Sequence, residues 1–362
     1  MFLASLKRTE TAAGVAFLPK GAAKKVSPVL LTLVQASLAL SLTGQLLAQQ
    51  TSSVIAQVGK PNWIEPALST TPPPRCCMGL AFDYATQSTL MFGGASTYGD
   101  TWILGKQWSQ LFPATSPSTR SGPAMVWDGA AGNVVLFGGM EAGGTYLNDT
   151  WTWDGVTWTQ QFPPVSPSPR QFNIGGMAYD GATQTVLMFG GLNSLYGTLG
   201  DTWTWDGVAK IWTRQFPASS PSPRRAPTAY DGKSRTVLLF GGDNSGGGVQ
   251  YTDTWTWDGT TWTQLFPAAH PSARTSANMA YDGALGIVVL FGGFDGDWPD
   301  SLDDTWIWDG TNWAQYSPAT VPPNRYNAGM TYVPGVGHGV MMFGGFSSGP
   351  ARNDTWLFYA VP

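Results

Sequence analysis

Two short stretches decide the fold of this chain: TVLMFGG at Thr185–Gly191 and DTWTWDG at Asp201–Gly207. The first stretch is apolar on successive residues, which predicts a strand that is buried on both faces. The second alternates Thr with Trp and ends in Asp-Gly, a pair that favours a tight hairpin turn with positive φ at both turn positions. Together they predict antiparallel strands within a stack of sheets.

Both stretches recur six times along the chain, with a period near fifty residues. Phe-Gly-Gly begins at Phe92, Phe137, Phe189, Phe240, Phe291 and Phe343. Asp-Thr-Trp begins at Asp100, Asp149, Asp201, Asp253, Asp304 and Asp354. Self-similarity with this period indicates a propeller or a solenoid. Each copy contains four extended segments, which favours the propeller.

A third marker, a Trp followed twelve residues later by an Arg, shows how the ring closes. The six pairs are Trp63/Arg75, Trp108/Arg120, Trp158/Arg170, Trp212/Arg224, Trp262/Arg274 and Trp313/Arg325. The sixth copy ends at Pro362 without its Trp-bearing strand, whereas the strand around Trp63 precedes the first copy. We therefore predict an all-β fold: a six-bladed β-propeller of four-stranded antiparallel blades, with the last blade closed by the N-terminal strand.

The first strand of each copy predicts how the blades pack. The residue before its final Asp is aromatic, as in Tyr179 and Tyr230, and two residues earlier most copies carry Met or Leu. The intervening positions are small, as at Ala178 and Ala229. Side chains alternate between the faces of a strand, so one face is bulky and the other nearly bare. We expect the bulky face of one blade to meet the bare face of the next.

This arrangement resembles the kelch-repeat family of β-propellers, as in the secreted bacterial kelch proteins and the central propeller of galactose oxidase. The features shared are an apolar strand ending in the double glycine (Gly190-Gly191), an aromatic strand and a second Trp. The resemblance covers about Pro61 to Pro362. It implies that the second-to-third strand loops and the outer-to-inner connections share one face, where ligands usually bind. It implies little about activity, because kelch propellers include enzymes and binding scaffolds.

Features repeated in every blade are interpreted first as scaffold. Each inner strand begins with an Arg, which we expect to bond carbonyls or the Asp-Thr-Trp carboxylate of a nearby blade. The alternative is a ring of arginines that binds an anion. The Trp pairs, such as Trp203/Trp205, are expected to pack between blades and not to serve as sugar platforms.

The residues that break the repeat are the candidates for a binding site. Tyr, Trp, Asn and Asp in the second-to-third loops are typical of a groove for a saccharide or a peptide. The predicted ligand-binding residues are Tyr98, Glu141, Tyr146, Asn193, Tyr196, Asp243, Asn244, Tyr251, Trp298 and Arg352. We expect the partner to be a glycan or an extracellular protein and the propeller to be a monomer. An envelope module with a purely structural role is an alternative.

One loop of the fifth copy, FDGDWPDSLDD, concentrates carboxylates. Oxygen-rich loops suit Ca²⁺, although this one lacks the spacing of an EF-hand. The candidate ligands are Asp295, Asp297, Asp300 and Asp303. A solvated acidic loop is the alternative, and no other cofactor is expected.

The N-terminus has the pattern of a secretory signal. Basic residues up to Lys25 precede an apolar segment, Val29 to Leu42, which is short for a membrane span. We assign residues 1–48 as a signal peptide or an N-terminal anchor, 49–60 as a linker and 61–362 as the propeller. The protein is accordingly expected to be secreted, periplasmic or on the cell surface, with membrane attachment only through an uncleaved N-terminus.

Charge and composition exclude several classes of function. Residues 49–362 have a formal charge of −8, which repels phosphate and disfavours nucleic-acid binding. Cys76 and Cys77 are neighbours, so they cannot form a framework of disulfides. His270 and His338 fall in different parts of their repeats and do not predict a copper site of the galactose-oxidase type. A binding module is therefore favoured over an enzyme.

One enzymatic class stays open as the alternative to a binding module. The chain has no Gly-x-Ser-x-Gly elbow and no phosphate loop. The secreted kelch mutarotase that acts on sialic acid needs only an acid and a base at the channel mouth. Glu141 and the blade-five aspartates would be the candidates in such a carbohydrate-active enzyme, a mutarotase or a lyase.

Overall fold

The computed structural model describes residues 60–95, 97–172, 175–244, 248–296, 301–335, 339–347 and 349–360. These residues belong to a compact unit, Ala48–Pro362. They form six four-stranded antiparallel sheets and two short two-stranded ribbons. The predicted leader and the linker up to residue 59 lie outside the described residues. Within the described ranges, no helix has the length and apolarity needed to cross a membrane.

Each sheet is one blade, and its strands run outward from the centre in chain order. Blade 1 contains Gly79–Asp83, Ser88–Phe92, Thr101–Leu104 and Trp108–Leu111. Blade 2 contains Ala124–Asp128, Asn133–Met140, Tyr146–Trp153 and Trp158–Gln161. Blade 3 contains Met177–Asp180, Thr185–Phe189, Thr202–Asp206 and Ile211–Gln215.

The second half of the ring repeats this order. Blade 4 contains Thr228–Asp231, Thr236–Phe240, Thr254–Trp257 and Trp262–Leu265. Blade 5 contains Asn278–Asp282, Ile287–Gly293, Leu302–Trp308 and Trp313–Tyr316. Blade 6 contains Gly329–Val333, Gly339–Phe343 and Thr355–Ala360, and its outer strand is Pro61–Ile64. The predicted closure of the last blade by the N-terminal strand is confirmed.

The closing strand makes the same contacts as the other outer strands. Trp63 lies opposite Phe358 in the ladder, and its indole N–H donates to the Thr305 hydroxyl of blade 5 at 3.0 Å. The other five outer-strand tryptophans donate in the same way to a Thr of the preceding blade. The junction between the chain ends is therefore bonded like every other blade interface.

The blades pack with bulky residues against small ones, as predicted. Met177 and Tyr179 of blade 3 belong to a cluster with Ala124 of blade 2. Ala178, on the opposite face of the same strand, packs in a cluster with Tyr230 of blade 4. The core is thus a set of six interfaces between blades, and apolar burial at each of them stabilises the ring.

The double glycines are required by the close approach of the next blade. Gly138 has φ +64°, and a Cβ there would lie 2.6 Å from the carbonyl oxygen of Arg170. The neighbouring Gly139 donates its N–H to that same carbonyl at 2.8 Å. Any side chain at Gly138 would displace the backbone of blade 3. The equivalent N–H donates to the next blade's Arg in all six blades.

The hairpins between third and outer strands differ from the predicted two-residue turn. Trp153 pairs with Trp158, which leaves four residues in the loop. Gly155 has positive φ whereas Asp154 does not. The Asp154 carboxylate instead accepts the N–H groups of Val156 and Thr157 at 2.9 and 2.8 Å. This Asx turn removes the need for a second residue with positive φ.

We expect Trp63→Ala to lower the free energy of unfolding by about 3–5 kcal/mol, because this indole is 0% exposed and closes the ring. Phe112→Ala is the matched control, since that side chain is 85% exposed and its loss changes stability by no more than about 0.5 kcal/mol. Chemical denaturation followed by tryptophan fluorescence measures both. An unchanged denaturation midpoint for Trp63→Ala would show that the ring does not depend on the closing strand.

Candidate functional site

We define the upper face as the one that carries the second-to-third loops and the outer-to-inner connections. Six buried arginines organise this face. Arg170 pairs with both carboxylate oxygens of Asp201, at 2.6 and 2.8 Å, and its Nη1 also donates to the carbonyl of Gly190 at 2.8 Å. The indole N–H of Trp203 donates to the same carboxylate at 2.7 Å. Each arginine therefore joins three strands of one blade.

The arginine side chains bond carbonyls, as predicted, but the Asp-Thr-Trp carboxylate that each one binds belongs to its own blade and not to a nearby one. The reason is the turn of the chain: the Arg that starts an inner strand lies beside the end of the second strand and the start of the third. The same pairing occurs in all six blades. Because the arginines are buried and fully paired, they do not form an open ring for anions.

The backbone of each arginine, in contrast, bonds the preceding blade. The N–H of Arg170 donates to the carbonyl of Leu147 in blade 2, at 2.9 Å. At the closure, the N–H of Arg75 donates to Arg352 of blade 6 at 3.0 Å. The second-to-third loops are thus fixed at their bases from both sides.

The ion pairs also set the titration of the third-strand carboxylates. Burial raises the pKa of Asp201, but the hydrogen bonds and charge of Arg170 and the Trp203 N–H outweigh burial and lower the pKa below its ordinary value. Asp100 and Asp354 show the same net direction for the same causes. These carboxylates stay ionised at neutral pH and serve as structural acceptors.

Two predicted ligand-binding tyrosines contact the buried arginines of this scaffold. The Tyr98 ring lies 4.0 Å from the Arg75 guanidinium, and the Tyr251 ring lies 3.7 Å from that of Arg224. Stacking of a guanidinium on an aromatic face is favourable, and here it covers the ion pair. Arg352 likewise donates to the Ser347 hydroxyl at 3.2 Å.

Three further predicted residues organise loops. The Asn193 carbonyl oxygen accepts the N–H groups of Leu195 and Tyr196, and its amide donates to the carbonyl of Pro169. Asp243 pairs with Arg225 at 2.8 Å and accepts the Thr275 hydroxyl at 2.9 Å. Asn244 also has a polar partner. Asp243 and Asn244 form one strand of the blade-4 ribbon, opposite Val249–Gln250.

The remaining predicted residues have different settings. Glu141 and Tyr146 flank the hairpin of blade 2 and are half-buried. Tyr196 is 70% exposed, and its neighbour Leu195, which we had not predicted, is 81% exposed. The pair forms the tip of the blade-3 ribbon, Leu192–Asn193 with Gly197–Thr198. Trp298 lies outside the described residues.

The predicted calcium ligands are only partly described. Asp297 and Asp300 lie outside the described ranges. Asp303 is exposed on the third strand of blade 5, and Asp295 has a polar interaction of its own. In the part of the chain that the structure describes, no three His, Cys, Asp or Glu side chains are grouped as metal ligands. The calcium site stays a prediction.

A central channel of about 430 Å³ runs between the inner strands of all six blades. Its lower mouth, opposite the upper face, is surrounded by one aromatic residue from each inner strand: Phe82, Trp127, Tyr179, Tyr230, Tyr281 and Tyr332. The sequence showed these aromatics, but we interpreted them only as packing between blades. Because an inner strand has a free edge, a side chain there packs between blades and still lines the channel.

The two cysteines directly precede Met78 and the inner strand of blade 1. Both are free thiols and both are buried. Burial and the hydrogen bond between the thiols raise the pKa of Cys76, so it remains protonated. Cys77 occupies a position with φ of 58°, where blade 2 has Gly122.

Comparisons with known proteins agree with this architecture. The KLHDC2/KLHL20/DRC7 Kelch-repeats domain matches residues 103–267. An F-box/kelch-repeat protein of Arabidopsis thaliana is 27% identical over 217 residues, which are 52% of this chain and 43% of that protein. The solved structure of YjhT aligns with a TM-score of 0.61 and 13% identity over 81% of this chain and all of its own. At this identity, the likeness to YjhT shows a similar fold and no more.

We expect Asp201→Ala to lower the free energy of unfolding at pH 7 by about 3–5 kcal/mol, because it leaves the buried Arg170 without its counter-charge. The wild-type pair contributes above the ordinary carboxyl pKa of about 4 and is lost as pH falls through the lowered pKa of Asp201. The difference between the two proteins should therefore shrink below pH 4.

Denaturant titrations at several pH values measure this difference. Asp303→Ala is the control, because the exposed Asp303 should contribute no more than about 0.5 kcal/mol at any pH. A pH-independent loss for Asp201→Ala would contradict the assignment.

Proposed function

We propose that this chain is a kelch-repeat β-propeller that acts as a non-catalytic interaction module and binds an extracellular protein through its upper face. Kelch propellers generally mediate protein interactions. The single observation that carries this proposal is the exposed Leu195–Tyr196 pair at the tip of the blade-3 ribbon. The Arabidopsis relative is more than twice as long as the matched part, so its partners are not transferred.

The tip is held in one conformation before any partner binds. Two N–H groups of the tip donate to the Asn193 side chain, at 2.7 Å from Leu195 and 3.3 Å from Tyr196. The ribbon that carries the tip is paired in an antiparallel manner, with Leu192 opposite Thr198. Leu192 also forms a β-bridge with Gln171, which lies next to Arg170 before the inner strand of blade 3. A rigid tip loses little conformational entropy on binding, so its apolar contacts contribute to affinity.

The chemistry of the tip favours a protein over a glycan. A saccharide would stack on the Tyr196 ring but would gain little from an aliphatic neighbour. A protein pocket buries both side chains, which removes apolar area from water, and tyrosine is among the residues enriched at the energetic centres of protein interfaces. Leu195 is therefore the residue that separates the two ligand classes.

Two alternatives stay open. The carbohydrate-active enzyme, a mutarotase or a lyase, would use Glu141, which is half-buried beside the blade-2 hairpin. The structural envelope module would use the same surfaces without a soluble ligand. Neither has a specific geometric feature behind it comparable to the blade-3 tip.

Site-specific photo-crosslinking identifies the partner. We expect p-benzoylphenylalanine at position 196 to give a covalent adduct with one extracellular protein, which mass spectrometry then identifies. The same amino acid at position 216 is the matched control, because Phe216 is also highly exposed on blade 3 but lies outside the ribbon. Leu195→Ser and Tyr196→Ser should each weaken binding of the identified protein at least about tenfold, and Phe216→Ser should not.

Three results separate the outcomes of this experiment. If the adducts are glycans, and binding is weakened by Tyr196→Ser but not by Leu195→Ser, a saccharide would be favoured as the ligand. Equal adducts at positions 196 and 216 would contradict the assignment of the binding site to the tip of the blade-3 ribbon. Turnover of a sugar that Glu141→Gln abolishes would favour the enzyme.

We also propose that the propeller acts outside the cytoplasm, on the basis of the sequence of residues 1–48. Cleavage after Ala48 should produce a protein that begins at Gln49. N-terminal sequencing of protein from the medium, the periplasm and the washed membranes measures this. An intact Met1 terminus in the cytosolic fraction would contradict export, and an intact terminus in membranes would indicate an anchor.

A further inference from the structure

The central channel has the properties of a ligand site that is separate from the upper-face tip. Its volume of about 430 Å³ is in the range of cavities that hold small organic molecules. Among the described residues that line it, none carries a charge. Transfer of an ion into such a cavity would lose hydration without a counter-charge in the lining. The channel therefore suits a neutral molecule.

The wall of the channel departs from the repeat in blade 4. Five inner strands carry a long apolar side chain at the same register position: Leu80, Met125, Met177, Met279 and Met330. Blade 4 has Thr228 there, opposite Leu239. Threonine is shorter than methionine, so the wall recedes at this point, and the residue there carries a hydroxyl group.

The Thr228 hydroxyl is buried and lacks a protein partner. The residue is 7% exposed and lines the channel, and within the described part of the chain its Oγ1 has no hydrogen-bond partner. Burial of an unpaired hydroxyl is unfavourable, because the group loses its hydrogen bonds to water. An apolar residue at this position would avoid that cost, as the other five blades do. A ligand group that bonds Thr228 would offset it.

The lower mouth adds further neutral hydrogen-bonding groups. Burial raises the pKa values of Tyr179, Tyr230 and Tyr281, with nearby carboxylates adding to the effect, so these hydroxyls stay protonated. Tyr84 contributes another ring at a position where blade 2 has Gly129, and it packs 5.5 Å from Trp127. The mouth is thus amphipathic and asymmetric, and the Met layer above it is apolar.

We propose that the channel binds a neutral, elongated small molecule whose apolar body contacts the methionine layer and whose hydroxyl or carbonyl group hydrogen-bonds Thr228. The molecule enters between the aromatic rings of the lower mouth. Methionine side chains adapt to the shape of an apolar guest at low cost. This site is independent of the protein partner on the upper face.

Calorimetric titration of the full chain with three probes of equal length tests the chemistry. The probes are 1-octanol, octylammonium and octanoate, each below its aggregation limit. We expect saturable one-to-one binding of 1-octanol and at least tenfold weaker binding of both ions. Quenching of tryptophan fluorescence should report the same affinity, because Trp127 lies at the mouth.

Two variants at one position test the geometry. Thr228→Met restores the residue found in four of the other blades, so the fold should be kept while the affinity for 1-octanol falls at least tenfold. Thr228→Val keeps the shape but removes the hydroxyl. It should weaken binding about two- to tenfold, the equivalent of one hydrogen bond, and raise the melting temperature of the ligand-free protein.

Thr213→Met, at an exposed position of an outer strand, is the matched control and should bind 1-octanol like the wild type. The proposal is overturned if the wild type binds none of the probes saturably. It is also overturned if octanoate or octylammonium binds as tightly as 1-octanol. Full affinity in Thr228→Met, with its fold shown intact by circular dichroism, would equally exclude this site.

Discussion

The buried arginine at the start of each inner strand is the interaction on which the rest of the structure depends. Its guanidinium binds a carboxylate and a carbonyl of its own blade, and its backbone binds the blade before it. One residue thus fixes both the internal geometry of a sheet and the angle between neighbouring sheets. A buried ion pair is tolerated here because every polar group around it is satisfied. Arg75 repeats these contacts across the junction between the two chain ends.

This arrangement connects several polar residues of the upper face to the scaffold. Tyr98 and Tyr251 cover arginines, and Asp243 is neutralised by Arg225. Among the described residues of this face, the tip of the paired ribbon in blade 3 has no contact with the arginines and is highly exposed. In a sixfold ring, a feature confined to one blade has no role in closing the ring. Leu195 and Tyr196 on the upper face and Thr228 in the channel are of this kind.

The sequence was sufficient for the fold because the repeat markers report local geometry. The double glycines require positive φ, and the spacing from Trp63 to Arg75 identified the closing strand. The contacts of the loop side chains could not be predicted in the same way. Tyr98 meets a guanidinium 23 residues earlier in the chain, and Asn193 bonds backbone groups of its own loop and of Pro169. Such contacts depend on how the chain turns between strands.

The channel residues also show what could not be predicted from the sequence alone. The absence of methionine at position 228 was visible as an irregularity in one copy of the repeat. Its meaning required the structure, since only there is the hydroxyl both buried and beside a cavity. Tyr84 is similar, because it replaces a glycine that elsewhere contacts the next blade's tyrosine ring. A sequence shows which residues depart from the repeat. Their role becomes clear only when the structure shows which residues surround them in space.

The most direct test of this account is hydrogen exchange of the backbone amides of Arg75, Arg170 and Arg224 in the full chain. If the ring is held by these residues and closed at Arg75, the amide of Arg75 will be as strongly protected as those of Arg170 and Arg224. All three will then exchange only through global unfolding. Fast exchange at Arg75, with protection retained at the other two, would show a ring that opens between its chain ends and would contradict the account.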